Sequence, residues 1–332
     1  MDFLEAALKK AKLLQKRIVL TEGIEPQTVK AARVLLNEGL AFSVTLLGKE
    51  SEIYTVAGKE GVDLTDVEIV NPELSDDFER YAAEYYEHRK TKGITLEQAK
   101  IDIQKPLYWG AMMVQLGDAD AVVGGAEDNS MDVINAGLAI IDTVSDIKTA
   151  SSCTIVISQD TSWGVDGAFV FSDCSIVPNP TPEQLTDIAL SAAKSCRDFF
   201  GIEPVVALLS YSTKGSKARH KDLDKVRTAL EMIKNREPSL IIDGEMQIDA
   251  ALIPQVTDFI APGSPVRGKV NTLVFPDLDA GNIAYQIARS FGKAETFGPF
   301  LQGFSKPISY IPHGSEANKI VLICAAALAR AG

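Results

Sequence analysis

Apolar positions along the chain alternate between two rhythms. Short continuous runs mark strands buried on both faces, and longer stretches with apolar residues three and four apart mark helices packed on them. Helical spacing of Phe3, Leu4, Ala7, Ala11 and Leu14 leads into the run Arg17-Ile18-Val19-Leu20, which ends at Thr21-Glu22-Gly23. Residues 29–38 return to helical period before a β-rich run, 41–47, closed by Gly48. The same reading predicts a strand over 67–70, a long charged helix over 76–91, and a further helix opened by Thr95. It then predicts an apolar helix from Pro106 to Leu116 stopped by Gly117, and a strand over 119–123 running into Gly124-Gly125.

The pattern restarts after Thr149. Predicted strands lie at 152–158 and 168–171, followed by the proline-punctuated connector Pro178 to Pro182 and a helix over 183–200. Three buried runs, 205–209, 240–243 and 272–275, are separated by helical stretches at 223–234 and 250–255. The last run ends in an acidic turn (Asp277, Asp279, Gly281) that launches a helix, Asn282 to Arg289. Gly298-Pro299 and Gly303 punctuate the next segment, which leads to a polar loop, Ser309 to Ser315, and a final apolar helix, Ile320 to Ala331. Strands alternating with helices imply mainly parallel sheets, and right-handed crossovers restrict these to the doubly wound α/β form. A boundary falls near residues 143–150, where the strand pattern begins again. A chain of 332 residues is also long for one core and suggests two domains.

Composition narrows the function. The net charge of −12 argues against a nucleic-acid partner, which needs clustered basic residues. The four cysteines form no CxxC pair and the three histidines do not cluster, so no metal site is expected; the cysteines read as buried thiols in a reducing compartment. No apolar run approaches the ~20 residues of a membrane span, and Met1 to Arg17 is too charged for a signal peptide. A cytoplasmic location is expected.

Several stretches carry candidate chemistry. Leu209 to Ser216 follows a buried strand with hydroxyls, a lysine and a glycine, and reads either as an anion-binding loop or as a solvated turn. It lacks the spacing of a nucleotide-binding P-loop. Asp243 and Glu245, with Asp249 behind them, read as an acid/base pair or as helix N-caps beside a glycine turn. Gly124 to Asp132 opens a polar loop at a strand end but lacks GxGxxG, and its acids oppose phosphate contact. Glu87-His88-Arg89-Lys90 reads as a basic helix end, and His313 stands as an acid/base candidate or a structural histidine.

Five ordered stretches together resemble the phosphate acetyltransferases: residues 87–99, 207–216, 241–256, 261–289 and 298–308. The resemblance implies two doubly wound α/β/α domains with an active cleft between them. The first would comprise residues 1–145 plus 305–332 and the second 146–304. It further implies a homodimer that moves an acetyl group between coenzyme A and inorganic phosphate without metal or bound cofactor, coenzyme A being a cosubstrate. An impaired homologue that binds coenzyme A or acyl phosphate in a regulatory or scaffold role is the alternative.

Carried over residue by residue, the family's cleft arginine corresponds to Arg89 and its Ser-Thr-Lys-Gly-Ser loop to Ser212, Thr213, Lys214, Gly215 and Ser216. The arginine of the family's Asp-x-Leu-Arg-Pro element is Asn135, downstream of Ser130. In the terminal signature Pro312 replaces the thiol-orienting serine, His313 the phosphate-binding arginine and Lys319 the proposed basic aspartate, while Gly314 and Ser315 complete the loop. The resemblance then leaves His313 as a candidate base, Lys319 as a candidate cation if the last helix turns it inwards, and the group that replaces the family base open.

Overall fold

A computed structural model of the chain describes residues 3–127, 130–217 and 220–331, with the side chains of Phe3, Leu4 and Ser130 outside that description. Among the described residues the strands are β1 (Arg17–Leu20), β2 (Ser43–Leu47), β3 (Val67–Val70), β4 (Ala121–Gly124), β5 (Ser151–Ile157), β6 (Ala168–Ser172), β7 (Val205–Leu209), β8 (Ile241–Met246), β9 (Thr272–Val274), β10 (Glu295–Gln302) and β11 (Ile308–Tyr310). Two compact units divide the chain. The first is Leu4–Thr143 with Phe304–Gly332, and the second is Met1–Phe3 with Val144–Gly303.

The first unit is built on a 5-stranded sheet in the order β11-β4-β1-β2-β3. All of its pairings are parallel. From β1 the chain winds outward through β2 and β3, then returns to place β4 on the other side of β1. The carboxyl ends of β1 and β4 are therefore the switch point, where loops of a doubly wound sheet diverge and leave a crevice. Ile18, Val19 and Leu20 are all buried, which is why β1 reads as a continuous apolar run. The helix Pro26–Asn37 buries Val29, Ala31, Ala32 and Leu35, and the C-terminal helix Ala317–Ala329 packs on it. Trp109 in Pro106–Leu116 is buried against Tyr81, with ring centroids 4.5 Å apart.

The second unit holds a 6-stranded sheet in the order β10-β5-β6-β9-β7-β8. It is less parallel than the strand-helix alternation implies, because β5 pairs antiparallel with both β6 and β10. The connection 158–167 holds no helix, and without a crossover the strands it joins form an antiparallel hairpin. The helix Pro182–Phe200 starts in a capping box between Thr181 and Gln184 and ends at Gly201, whose φ is +66°. Its buried Ser195 donates to Gln302 Oε1, whose amide donates to the hydroxyls of Ser151 and Ser172, so this buried polar group is satisfied.

Some elements differ from their sequence pattern. The helix Glu50–Glu60 buries only Ile53 and Ala57, too sparse a stripe to register. β10 is interrupted at Gly298-Pro299, and a register shift between Phe297 and Phe300 accommodates the proline on this sheet-edge strand. The Gly124–Asp132 segment, expected as a loop, is helical from Ser130 to Ile140; Asp128 and Asn129 lie outside the described residues. β8 continues through Asp243-Gly244-Glu245 to Met246 instead of turning at the glycine.

The strand-turn-helix that follows β9 is held by a close approach. Asp277 caps the helix Leu278–Ser290 by accepting from the Ala280 N–H at 2.9 Å, and Asn282 donates to the Cys174 carbonyl at 3.0 Å. At the buried Gly281, a Cβ would stand 2.2 Å from the Asp173 carbonyl oxygen. That neighbour is backbone and cannot swing aside. Gly281→Ala is therefore expected to destabilise the protein by about 1–3 kcal/mol, measured by denaturant unfolding, with Gly58→Ala, which meets no atom within 4 Å, as the tolerated control.

Candidate active site

The carboxyl end of the first unit's sheet gathers three of its loops. β1 runs into Thr21-Glu22-Gly23, β4 into Gly125-Ala126-Glu127, and β11 into Ile311–Ser315. Strands β1 and β4 meet closely here: a Cβ at Gly124 would fall 2.0 Å from Thr21 Oγ1, so only glycine fits. Glu22 is buried, and its carboxylate accepts the Ala126 N–H at 2.7 Å and the Glu127 N–H at 2.9 Å. On the neighbouring strand the Ile311 N–H donates to the Gly124 carbonyl at 2.7 Å, which extends the pairing to the edge of the terminal loop.

That loop is a tight turn. The backbone N–H and hydroxyl of Ser315 both donate to the Pro312 carbonyl, at 3.1 Å and 2.6 Å, and Gly314 takes a φ of +71°. His313 is exposed at its apex with Nδ1 at 2.9 Å from the Ala126 carbonyl oxygen. A carbonyl only accepts, so Nδ1 carries the proton and the lone pair of the neutral ring lies on Nε2. Lys319 sits half-buried in the first turn of the helix Ala317–Ala329. The structure thus brings His313, Gly314, Ser315 and Lys319 onto one loop and helix start.

Arg89 lies elsewhere in the unit. It closes the helix Phe78–Arg89, and its Nη1 donates to the Leu138 carbonyl at 3.4 Å. The helix Ser130–Ile140 begins beside the Ala126 loop, carries Asn135 exposed on its surface, and advances about 1.5 Å per residue. Leu138 is therefore roughly 12 Å along it, so Arg89 stands at the end away from His313. The neighbouring His88 pairs with Asp142 at 2.9 Å.

In the second unit the Ser212–Ser216 loop follows β7 and is folded onto two acids of β8. Lys214 Nζ pairs with Asp243 and donates to the Gly244 carbonyl at 3.0 Å. Glu245 Oε1 accepts from the Ser212 hydroxyl at 3.1 Å and from the Gly215 N–H at 2.8 Å. Arg227 holds both Glu245 oxygens at 2.9 Å in a bidentate pair. Thr213 and Ser216 are also spent internally, on the Gln247 N–H and the Thr213 N–H. Neither sequence reading of Asp243 and Glu245 describes this arrangement. They are strand residues that clasp a loop, not helix caps or a free acid/base pair; Gln247 occupies the N-cap position of the next helix.

Sequence reasoning missed Glu22, since its partners are more than 100 residues away and an isolated acid after a strand has no motif. It missed Arg227 for a similar reason: one basic residue on a charged helix gives no sign of facing a buried acid.

Comparison with known proteins places this architecture. The sequence model of the phosphate acetyl/butaryl transferase family matches residues 2–328. A phosphate acetyltransferase of Treponema pallidum is 47% identical over 99% of this chain and 98% of its own length. Phosphotransacetylases of solved structure are similar in fold. That of Streptococcus pyogenes has a TM-score of 0.93 at 36% identity, covering 99% of this chain and 98% of its own. That of Staphylococcus aureus has a TM-score of 0.91 at 33% identity, covering 100% and 98%. The chain belongs to the phosphate acetyl/butaryl transferase family. Membership sets the reaction class as phosphate acetyltransferase-type acyl transfer. Among the described residues no helix is long and apolar enough to cross a membrane.

The Glu245 clasp is open to a pH test. Burial pushes its carboxyl up, but the Arg227 pair, the Gly215 N–H and the Ser212 hydroxyl outweigh that and hold it at about 2. A carboxyl lowered by folding stabilises the protein above its unfolded value of about 4.3. Solvent around the Arg227 guanidinium screens the pair, which leaves a contribution on the order of 1–3 kcal/mol. It disappears as pH falls from the unfolded value towards 2. Glu245→Gln is thus expected to be less stable by about this amount at neutral pH, with the gap narrowing towards zero in acid, as read by denaturant titrations across pH.

Proposed function

We propose that the chain moves an acetyl group between coenzyme A and inorganic phosphate, with His313 as the group that takes the thiol proton. The observation that carries this reading is the hydrogen bond from His313 Nδ1 to the Ala126 carbonyl at 2.9 Å. It leaves Nε2 as the basic nitrogen on an exposed loop at the carboxyl end of a parallel sheet. In the direction of acetyl-CoA synthesis, Nε2 removes the thiol proton and the thiolate sulfur attacks the carbonyl carbon of acetyl phosphate. The C–O bond to phosphate then breaks, and the proton passes from Nε2 to the leaving phosphate oxygen. The Nδ1–H bond to Ala126 is kept in both charge states of the ring.

On this reading Lys319, Gly314 and Ser315 take the phosphate side, at the start of a helix whose first N–H groups favour anions. Asn135 lies on the helix that begins beside the Ala126 loop and contributes an uncharged polar contact, while the side chain of Ser130, the other polar candidate there, lies outside the described residues. Arg89 serves a more distant anionic part of the substrate. Substrate binding by Ser212–Ser216 requires Lys214 to exchange its bond to Asp243 for one to the ligand. Coenzyme A is a cosubstrate, no metal is required by the chemistry, and the chain acts as a cytoplasmic homodimer, in keeping with its family resemblance.

A second reading, a homologue that binds these ligands without turning them over, is favoured by one feature. Lys214 and the Ser212 and Gly215 donors are already engaged by Asp243 and Glu245. Calorimetry with coenzyme A and with acetyl phosphate, run beside a turnover assay, separates the two: binding without turnover supports the second. For the first, purified protein supplied with acetyl phosphate and coenzyme A consumes free thiol, and His313→Ala lowers that rate by about 10²–10⁴-fold. An unchanged rate in His313→Ala removes the assigned base.

A further inference from the structure

The peptide group that holds His313 is itself held by a buried acid. The Ala126 carbonyl and the Glu127 N–H belong to the same peptide unit, which is planar and polarisable along its N–C=O axis. Its oxygen receives the His313 Nδ1–H at 2.9 Å, while its N–H is donated to Glu22 Oε1 at 2.9 Å. The other carboxylate oxygen, Oε2, accepts the N–H of the preceding peptide, that of Ala126, at 2.7 Å. Glu22 therefore grips both peptides that flank Ala126 and fixes the direction of the carbonyl between them.

We propose that Glu22 is the positioning residue for His313, acting through the Ala126–Glu127 peptide as a carboxylate–peptide–imidazole relay. An anion on the N–H side draws the peptide's electrons towards oxygen and makes that oxygen a better acceptor. A better acceptor on Nδ1–H selects one tautomer and holds the Nε2 lone pair in one direction. The logic is that of a serine-protease carboxylate that orients its histidine, with a peptide interposed. Three local features keep the relay in register. Gly124 allows β1 and β4 to approach, the Thr21 N–H donates to the Val123 carbonyl at 3.1 Å, and the Gly23 N–H donates to the Leu47 carbonyl at 3.0 Å. Glu22 is thus anchored on each side while its side chain crosses to the β4 loop.

The inference rests on His313 as the base for its catalytic meaning, but its structural core is testable without turnover. The chain has only three histidines, His88, His220 and His313, so nitrogen NMR of the full-length protein labelled at histidine resolves each ring, with the first two as internal controls. In the wild type the neutral His313 ring is expected to carry its proton on Nδ1. In Glu22→Ala that tautomer should cease to dominate, and Glu22→Gln, which accepts from one N–H only, should fall between. His88 and His220 should not change. In the turnover assay Glu22→Gln is expected to lose roughly 10- to 100-fold in kcat, comparable to loss of an outer-shell orienting group, with KM little altered.

A wild-type His313 protonated on Nε2 overturns the relay outright, as does a Glu22→Gln protein with unchanged tautomer. Should Glu22→Ala not fold, the wild-type and Glu22→Gln spectra still decide. If the tautomer shifts with Glu22 while His313→Ala retains full turnover, the relay stands and the assignment of His313 as base fails.

Discussion

Backbone N–H groups that leave a parallel sheet must find acceptors, and in this chain buried carboxylates from other segments supply many of them. A buried N–H without a partner forfeits most of a hydrogen bond's free energy, so loops at strand ends are stable only where acceptors converge. Glu22 serves the Ala126 and Glu127 N–H groups, and Glu245 serves that of Gly215. Asp173, at the end of β6, accepts from Ser152, Ser175, Ile176 and Val177. Asp187 accepts from Lys148 and Thr149 and pairs with Arg236. Each of these acids ties a loop to a different element of its unit.

The electrostatics of such acids depends on whether a cation joins the N–H donors. Burial pushes the Asp173 carboxyl upward, and its backbone donors and the Ser152 hydroxyl do not overcome it. Glu245 has Arg227 as well, and its carboxyl falls to about 2. One clasp can therefore take up a proton above the usual carboxylate range, while the other stays ionised in all but strong acid. Folding in the second unit is thus linked to a fixed charge at the Ser212–Ser216 loop, and that charge adds to the hold of Asp243 that Lys214 must leave in order to bind an anion.

Elements whose stability comes from continuous apolar runs were legible in the sequence. β1, β4, β7 and β9 are buried along their whole length or nearly so, and each registers as a short, mainly apolar run. The elements that escaped lack a local signal. β10 carries Gly298-Pro299 inside it, β11 has the polar Ser309 between its ends, and the helix Glu50–Glu60 buries too little to show a stripe. The site divides along the same line. His313, Lys319 and Ser212–Ser216 could be named because they lie within contiguous motifs or replace residues in them. Glu22 and Arg227 could not, because each works through a partner that only the fold brings near. Arg89 was legible as a residue, but its placement at the Leu138 end of a helix depends on how two helices pack.

On the proposed reading, His313 in place of the phosphate-binding arginine that the family resemblance implies changes more than the strength of a phosphate contact. A guanidinium is permanently charged and offers a fork of donors, so it binds phosphate but cannot accept a proton. An imidazole offers one nitrogen to the substrate once Nδ1 is committed to the Ala126 carbonyl, and that nitrogen can be acceptor or donor in turn. On the proposed reading, binding power lost at this position is gained as a site of proton exchange, in a chain that carries Lys319 where the family resemblance implies a basic aspartate. The two replacements are complementary in charge. A cation moved to position 319 can serve phosphate while position 313 takes over the proton, provided that the imidazole is held in one tautomer. Glu22, through a single peptide group, supplies that condition.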